Sequence, residues 1–376
     1  MERTYILYGA EISYFSGKVR AYLRWKGLPF EEVAADASVY RDVIVPGVGF
    51  PVIPVVRAPD GRLLQDSTDI IDHLEAAHPE PGIVPPGGVQ RLVARLLELY
   101  ADEWLLLPAM HYRWHHNREW AMRAFGALNA PGAGTEEQEA IGRKRAAPFA
   151  QAAVLLGAEE HMQPAIEASY EGLLQELDAH FALWPCVLGH RPCIADFGLY
   201  GPLYAHQYRD PASGALMHRM ARHVVRWIER LRDGTVPRSG SFPGDDAIPD
   251  TLVPILRRLM REQMPVLQDS VSRLKTWMAS RPGEQSVPRT LGMHGFTLEG
   301  VHGQRVVRPY SLWMLQRARD AWHALTPAEH LQAKRLMDAA GGDAFIELED
   351  PPRLERDGLS VRLACQPGPW LRLATT

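Results

Sequence analysis

Cysteine is nearly absent from this chain: there are three in 376 residues, Cys186, Cys193 and Cys365. At these spacings they form neither a metal-ligand pattern nor a disulfide framework, which excludes a small cross-linked secreted module and fits a reducing compartment. Charge of one sign is lacking too. The 41 basic and 45 acidic residues give a net charge of −4, so there is no electrostatic case for a nucleic-acid or membrane partner. No apolar run approaches the ~20 residues that span a bilayer. Glu2 and Arg3 precede only a short apolar run, so no signal peptide is expected. Internal repeats and low-complexity runs are missing as well. With 46% hydrophobic and 23% charged residues the composition is globular, and the length suggests two or three domains. The expectation is a soluble, cytoplasmic protein.

The most informative stretch runs from Phe50 to Leu74. Val52-Ile53-Pro54-Val55-Val56 reads as a strand with a proline at its entry, where a missing N–H does least damage. Pro59-Asp60-Gly61 is a turn tripeptide, so Arg62 to Gln65 is expected to return antiparallel. Ser67 stands where a helix N-cap belongs, with Ile70, Ile71 and Leu74 at helical spacing behind it. A helix start offers free N–H groups and a positive dipole end, which suit a carboxylate, while Asp66 beside it could hold an ammonium group. For an isolated Asp-Ser pair, ordinary surface capping is the favoured account.

Upstream, Tyr5 to Tyr8 is a short strand. The loop Ala10 to Ser16 leads into a helix with Val19, Tyr22 and Leu23 on one face, ended by Gly27 and Pro29. Phe30 to Val33 is a second strand. Strand, helix, strand, hairpin and helix is the order of a thioredoxin-like domain, over residues 1–80.

The Ile-Pro step, the hairpin and the Asp-Ser pair before a helix together resemble the glutathione-binding half of the glutathione S-transferases. The resemblance implies a cis peptide at Pro54, backbone pairing of Ile53 with the cysteinyl part of glutathione, and a grip on the γ-glutamyl end by Asp66 and Ser67. Ser13-Tyr14-Phe15-Ser16 stands where thioredoxins have C-x-x-C, and it resembles the motif of serine-type classes such as theta and zeta. That places Ser13 at the catalytic position, as a hydrogen-bond donor to the sulfur, not as a nucleophile. Without the resemblance, Ser13 and Ser16 read as a polar loop with a cap. Tyr8 is a weaker donor candidate, and the cysteine-free loop disfavours thiol–disulfide exchange.

His78 to Gly88 is a Pro- and Gly-rich linker. A helix follows over about 90–110, and its counterpart in the transferases lines the dimer interface and the cleft. His111-Tyr112-Arg113-Trp114-His115-His116 comes next. His111 and His115 have the i, i+4 spacing that can hold a metal, but no further ligands are evident, so no metal is assigned. Tyr14, Phe15, His111, Tyr112 and Trp114 are candidates for an acceptor site. Tyr112 and Trp114 fit core packing equally well.

Residues 127–142 read as a flexible excursion, with helices from about 146 and over 164–183. Cys193-Ile194-Ala195-Asp196 resembles the family's capping box, with Cys193 in the place of Ser or Thr and Asp196 at N3, a structural feature. A helix over 216–231 ends at Gly234, and residues 235–249 form a polar linker. The transferase pattern ends near residue 235. Beyond it are expected a long helix (250–278), a hairpin (296–307), two short helices (311–323 and 327–340) and strands at 345–348 and 359–363.

The fold class expected is an α/β thioredoxin-like N-terminal domain (1–80) plus an all-α transferase domain (89–235), with a mixed α+β extension (236–376). The extension could close over the acceptor cleft, pack at a subunit interface or be a separate binding module, the first being preferred. The leading function is a glutathione S-transferase with glutathione as co-substrate and a small hydrophobic electrophile as acceptor. The family implies a cytoplasmic homodimer used in detoxification. A glutathione-dependent isomerase or lyase, or a non-catalytic scaffold of the same fold, is the alternative.

Overall fold

A computed structural model of the chain describes residues 4–364. Strand β1 (Tyr5–Gly9) buries Leu7 and Tyr8. Helix α1 (Tyr14–Lys26) buries Val19, Tyr22, Leu23 and Trp25 against the sheet and neighbouring helices. It stops at Gly27, whose φ of 73° lets its N–H return to the carbonyls of Leu23 and Arg24. Strand β2 (Phe30–Ala34) then pairs parallel to β1. Strand β3 (Val55–Arg57) pairs antiparallel to β1, and β4 (Leu63–Gln65) pairs antiparallel to β3. The order β2-β1-β3-β4 is that of a thioredoxin-like sheet.

The strand expected from Val52 begins only at Val55, because the Ile53–Pro54 peptide is cis and Pro54 has no N–H for the ladder. Gly61 turns the hairpin with φ of 88°. Helix α2 (Ser67–Ala77) is capped by Asp66, not by Ser67. The Asp66 carboxylate accepts from the N–H groups of Thr68 (2.9 Å) and Asp69 (3.3 Å), the N2 and N3 donors that a cap residue serves. Ser67 is therefore N1.

Helix α3 (Gly88–Leu99) continues beyond the expected end. It passes a π-helical turn (Tyr100–Trp104), α4 (Leu106–His111) and a second π-turn (Tyr112–His116). Residues 127–142 are not a flexible excursion. Helices α5 (Arg118–Asn129) and α6 (Thr135–Leu155) form a hairpin with a short link. The glycines serve close approach: a Cβ on Gly126 would lie 2.1 Å from the Gln138 carbonyl oxygen, and one on Gly142 would lie 2.1 Å from that of Met122.

Helices α7 (Gln163–Leu183) and α8 (Ile194–Pro202) build the centre of the helical part. The single helix expected over 216–231 is two, α9 (Pro211–Met220) and α10 (Arg222–Arg232), broken where Ala221 leaves helical geometry with φ of −139°. The long helix over 250–278 is likewise α11 (Val253–Glu262) and α12 (Met264–Ser280), with Pro265 opening the second.

In the extension, β5 (Ser286–Val287), β8 (Leu354–Asp357) and β9 (Ser360–Leu363) form one sheet, and β6 (Met293–Leu298) with β7 (Val301–Val306) forms a hairpin. Between them lie α13 (Tyr310–His323), α14 (Pro327–Ala340) and a short turn α15 (Asp343–Ile346) in place of the strand expected at 345–348. Phe345 there is fully buried on the Trp322 ring, so an apolar run in a helical turn was read as a strand. One apolar core runs from Leu7 and Val19 through Leu96, Phe197 and Trp227 to Leu312 and Phe345. Helix α13 packs along α3. Leu312, Leu315, Met337 and Phe345 alone contribute roughly 6–12 kcal/mol of burial, so the extension is fixed to the rest of the fold.

Candidate functional site

Sheet register gathers the site. Tyr8 of β1 pairs with Val55 of β3, and Val55 pairs with Gln65 of β4. The three segments that leave this row, the loop after β1, Ile53–Pro54 before β3 and Asp66–Ser67 after β4, therefore emerge at one end of the sheet. Ser13 is the N-cap of α1, and its Oγ accepts from Ser16 N–H at 3.3 Å. Capping uses a lone pair, so the hydroxyl hydrogen remains free to donate. Acidic residues are absent from the first turn of α1, so its positive end is not neutralised from within.

The loop is held from two sides. Fully buried Arg20 forks onto Glu32 (2.6 Å to each oxygen) and donates to the Ala10 carbonyl at 3.1 Å. Arg113 forks onto Asp210 (2.8 and 2.7 Å) and donates to the Ile12 carbonyl at 2.8 Å. These clamps pin the backbone on both sides of Glu11, two residues before Ser13. Burial raises the Asp210 carboxyl against the pull of Arg113.

Ile53 is half-buried next to the buried, cis-linked Pro54. Among the described residues, the Ile53 backbone and the Ser67 N–H and hydroxyl have no hydrogen-bond partner. Such groups are available to a ligand. Asp66 is different. One oxygen serves the α2 cap, and the other accepts from the Tyr310 hydroxyl at 2.6 Å. Arg356 Nη1 stands 3.8 Å from that second oxygen. The Arg356 fork is committed elsewhere, to Asp69 (2.6 Å), the Gln65 side chain and carbonyl (3.1 Å each) and the Gly358 carbonyl (2.9 Å). Arg317 adds a bond to Asp72 at 2.6 Å. The extension thus touches the N-terminal domain on the row Gln65, Asp66, Asp69 and Asp72.

Behind the site lies a buried charge cluster that joins α1, α2 and α3. Lys18 Nζ donates to Thr68 Oγ1 (3.0 Å), Glu98 Oε1 (3.0 Å) and Asp102 Oδ2 (2.5 Å), all of them buried. Burial pushes the Asp102 carboxyl up despite the Lys18 ammonium. Glu98 pays the same burial penalty but is held below its usual range by Lys18 and Arg95. The residues between Ser13 and the helical part are thereby fixed by ionic as well as apolar contacts.

The acceptor candidates do not form one surface. Tyr14 is buried and its hydroxyl donates to the Ala101 carbonyl, while Phe15 is half-buried with its ring 4.7 Å from Tyr14. Tyr112 packs edge-on to Tyr170, and Trp114 lies among Phe125 and Phe149. His111 faces α7, with Nε2 2.9 Å from Glu167 Oε1. Its partner in that contact is His116, 2.7 Å from the same oxygen, and not His115, which stacks on His111 and meets Gln163. Among the described residues, His111, His116 and Glu167 bring ligand atoms within 4.8 Å of one another, close enough to share a metal ion. At Cys193, Asp196 accepts from the Cys193 N–H (2.9 Å), the Val187 N–H (3.0 Å) and Trp227 Nε1 (3.1 Å), which fixes the start of α8. Burial raises the Asp196 carboxyl to about 6.

Arg113, Tyr310 and Arg356 escaped the reading of the sequence. Arg113 sits inside an aromatic stretch that drew attention to its rings, and the other two lie more than 240 residues from the carboxylate they reach.

A thioredoxin-like sheet followed by a mostly helical part, with three adjacent loops at one sheet end, defines the class. Residues 7–82 match the family model described as the glutathione S-transferase N-terminal domain. No curated protein matches the chain. Among solved structures the chain is similar to a glutathione S-transferase from Rhodospirillum rubrum F11 (17% identity, 65% of this chain and 96% of that one, TM-score 0.39). It is also similar to a beta-etherase from Sphingobium sp. strain SYK-6 (20%, 61% and 95%, TM-score 0.44). A third is a glutathione S-transferase from Methylobacterium radiotolerans in complex with glutathione sulfonate (22%, 64% and 98%, TM-score 0.39).

Proposed function

We propose that the protein is a glutathione-dependent transferase that binds the tripeptide across the end of the thioredoxin-like sheet and presents its thiolate to a small hydrophobic electrophile. The observation that carries this reading is the convergence of Ser13, Ile53 and Ser67, each with an uncommitted polar group, within a matched family domain. The Ile53 backbone pairs with the cysteinyl residue. The Ser67 N–H and hydroxyl take the γ-glutamyl carboxylate at the α2 N-terminus. Ser13 donates to the sulfur. A thiol of pKa ~8.5 is mostly protonated at neutral pH, and a hydroxyl donor at a helix N-terminus favours the anion. Each unit of lowering is worth ~1.4 kcal/mol. Attack by the thiolate then forms the carbon–sulfur bond as the electrophile's leaving group departs or its π-bond takes up the electrons.

Asp66 is where this reading meets resistance. An α-ammonium must share or displace the Tyr310 hydroxyl, so binding is coupled to the extension. That contact favours a second reading, a non-catalytic protein of the same fold whose γ-glutamyl corner is closed by its own chain. Calorimetry with glutathione separates the two. Binding that falls in Ser67→Ala but persists in Ser13→Ala, with thiolate absorbance lost in the latter, supports the transferase. A folded native protein that takes up no glutathione, alone or as Tyr310→Phe, leaves the scaffold.

A further inference from the structure

We propose a divalent-metal site formed by His111, His116 and Glu167, independent of the glutathione reading. The three side chains come from three elements. His111 ends α4, His116 ends the π-turn behind it, and Glu167 stands in the first half of α7. Their ligand atoms lie within 4.8 Å of one another, and both imidazole Nε2 atoms point at one carboxylate oxygen, at 2.9 and 2.7 Å. Around a tetrahedral Zn²⁺ with bonds of about 2.0–2.1 Å, ligand atoms stand roughly 3.3 Å apart. The two nitrogen–oxygen contacts would open by about half an ångström, and the two imidazole nitrogens already lie within 4.8 Å of each other.

The backbone explains why these residues meet. In the turn Tyr112–His116 the Asn117 N–H bonds to the Tyr112 carbonyl at 3.1 Å, an i→i+5 closure. The wider turn brings position i+5 toward i, where an α-turn would bring i+4. His115 is thereby swung onto the face of the His111 ring, with an interplanar angle of 16°, and is excluded from the ligand set.

Two imidazoles and a carboxylate suit zinc and neighbouring first-row divalent ions better than calcium or magnesium. His111 is buried, while His116 and Glu167 are each about one-third exposed (34%), which leaves an entry path and room for water as a fourth ligand. His111 Nδ1 has no partner among the described residues. Lack of such outer support costs about 10–100-fold in metal affinity, so binding is expected to be micromolar and not nanomolar. A bound ion would tie α7 to the π-turn and so brace the segment that carries Arg113.

The test is titration of tag-free, chelator-treated full-length protein with Co²⁺. The expected result is one equivalent bound, with the visible d–d bands of a four- or five-coordinate ion, displaced by Zn²⁺. His116→Ala and Glu167→Gln, both at partly exposed positions, should lose that equivalent and keep the native circular dichroism, while His115→Ala keeps it. Absence of bands in the native protein, or bands undiminished in His116→Ala and Glu167→Gln, overturns the proposal and leaves the cluster as two hydrogen bonds on a carboxylate.

Discussion

Tyr310→Phe should raise the affinity for glutathione. In the native chain the Tyr310 hydroxyl donates to Asp66 Oδ2 at 2.6 Å, while Oδ1 serves the α2 cap. A hydrogen bond to a charged group is worth about 1.5–3 kcal/mol. Phenylalanine keeps the ring and its packing on Trp313 but removes that donor. The free protein then holds Asp66 with one oxygen unserved, and whatever the substitution costs there is recovered when an ammonium arrives. The upper limit of the gain is thus about 10- to 150-fold. Water that enters the vacated position recovers part of it in advance, so about fivefold, from about 1 kcal/mol, is a realistic floor. Isothermal calorimetry on native and variant protein reads this directly. Glutaryl-cysteinylglycine, which lacks the α-amino group, serves as the control and should gain nothing. An affinity for glutathione that is unchanged or lower in Tyr310→Phe, with the fold intact, refutes the competition for Asp66.

Three further outcomes follow from the geometry. Ser13→Ala should leave glutathione binding within a few-fold of native but raise the pKa of the bound thiol, seen as a shift of the ultraviolet thiolate titration to higher pH. Loss of the α1 cap should cost a further ~1 kcal/mol in melting experiments. Lys18→Met should destabilise the fold by about 3–5 kcal/mol, because Asp102 is left as a buried carboxylate without its cation and Glu98 keeps only Arg95. The Asp102 carboxyl is raised even with the Lys18 ammonium pulling it down, so removing that ammonium raises it further; the variant takes up its proton at higher pH than the native protein, and its deficit in urea unfolding should shrink as pH falls through that higher value. Gly142→Ala should destabilise by about 1–3 kcal/mol and lower the melting temperature, since its Cβ meets the Met122 carbonyl oxygen at 2.1 Å and backbone must move. A neutral Gly142→Ala would show that α5 and α6 do not pack as closely as described.

What was legible in the sequence was local. Short β-rich runs and turn residues marked β1, β2 and the Asp60-Gly61 hairpin, because each is decided by a few neighbouring side chains and one φ angle. Gly27 and Pro29 marked the end of α1 for the same reason. The cap of α2 was misread by one residue. Asp and Ser are both good caps, and only the positive φ of Asp66, 77°, decides which of them stands outside the helix. Glycine misled in the segment 127–142. Gly142 was taken with its neighbours as a sign of flexibility, yet there, as at Gly126, the residue allows two helices to touch backbone to backbone. Nothing within the segment distinguishes these uses, since the deciding atom belongs to the other helix.

The harder loss was of period and of distance. Helical spacing of 3.6 residues pairs His111 with His115, and that is the pair a reader of the sequence tests for metal binding. A π-turn is not announced by any residue type, and it shifts the pairing to His111 and His116, where Glu167 supplies the third group. Distance conceals the extension in the same way. The chemistry of Asp66 cannot be argued from residues 50–74, because the hydroxyl on its second oxygen comes from Tyr310, 244 positions away. A resemblance confined to the first two thirds of the chain supplies the groups of a glutathione site. Whether those groups are free is decided by the last third, whose own core contacts put Tyr310 and Arg356 against the carboxylate. On the proposed reading, glutathione binding therefore turns on the relative strength of two donors for one oxygen, the phenol already in place and an ammonium from solution. The phenol has the advantage of being held on α13 by buried Leu312 and Leu315, and the ammonium has the advantage of its charge.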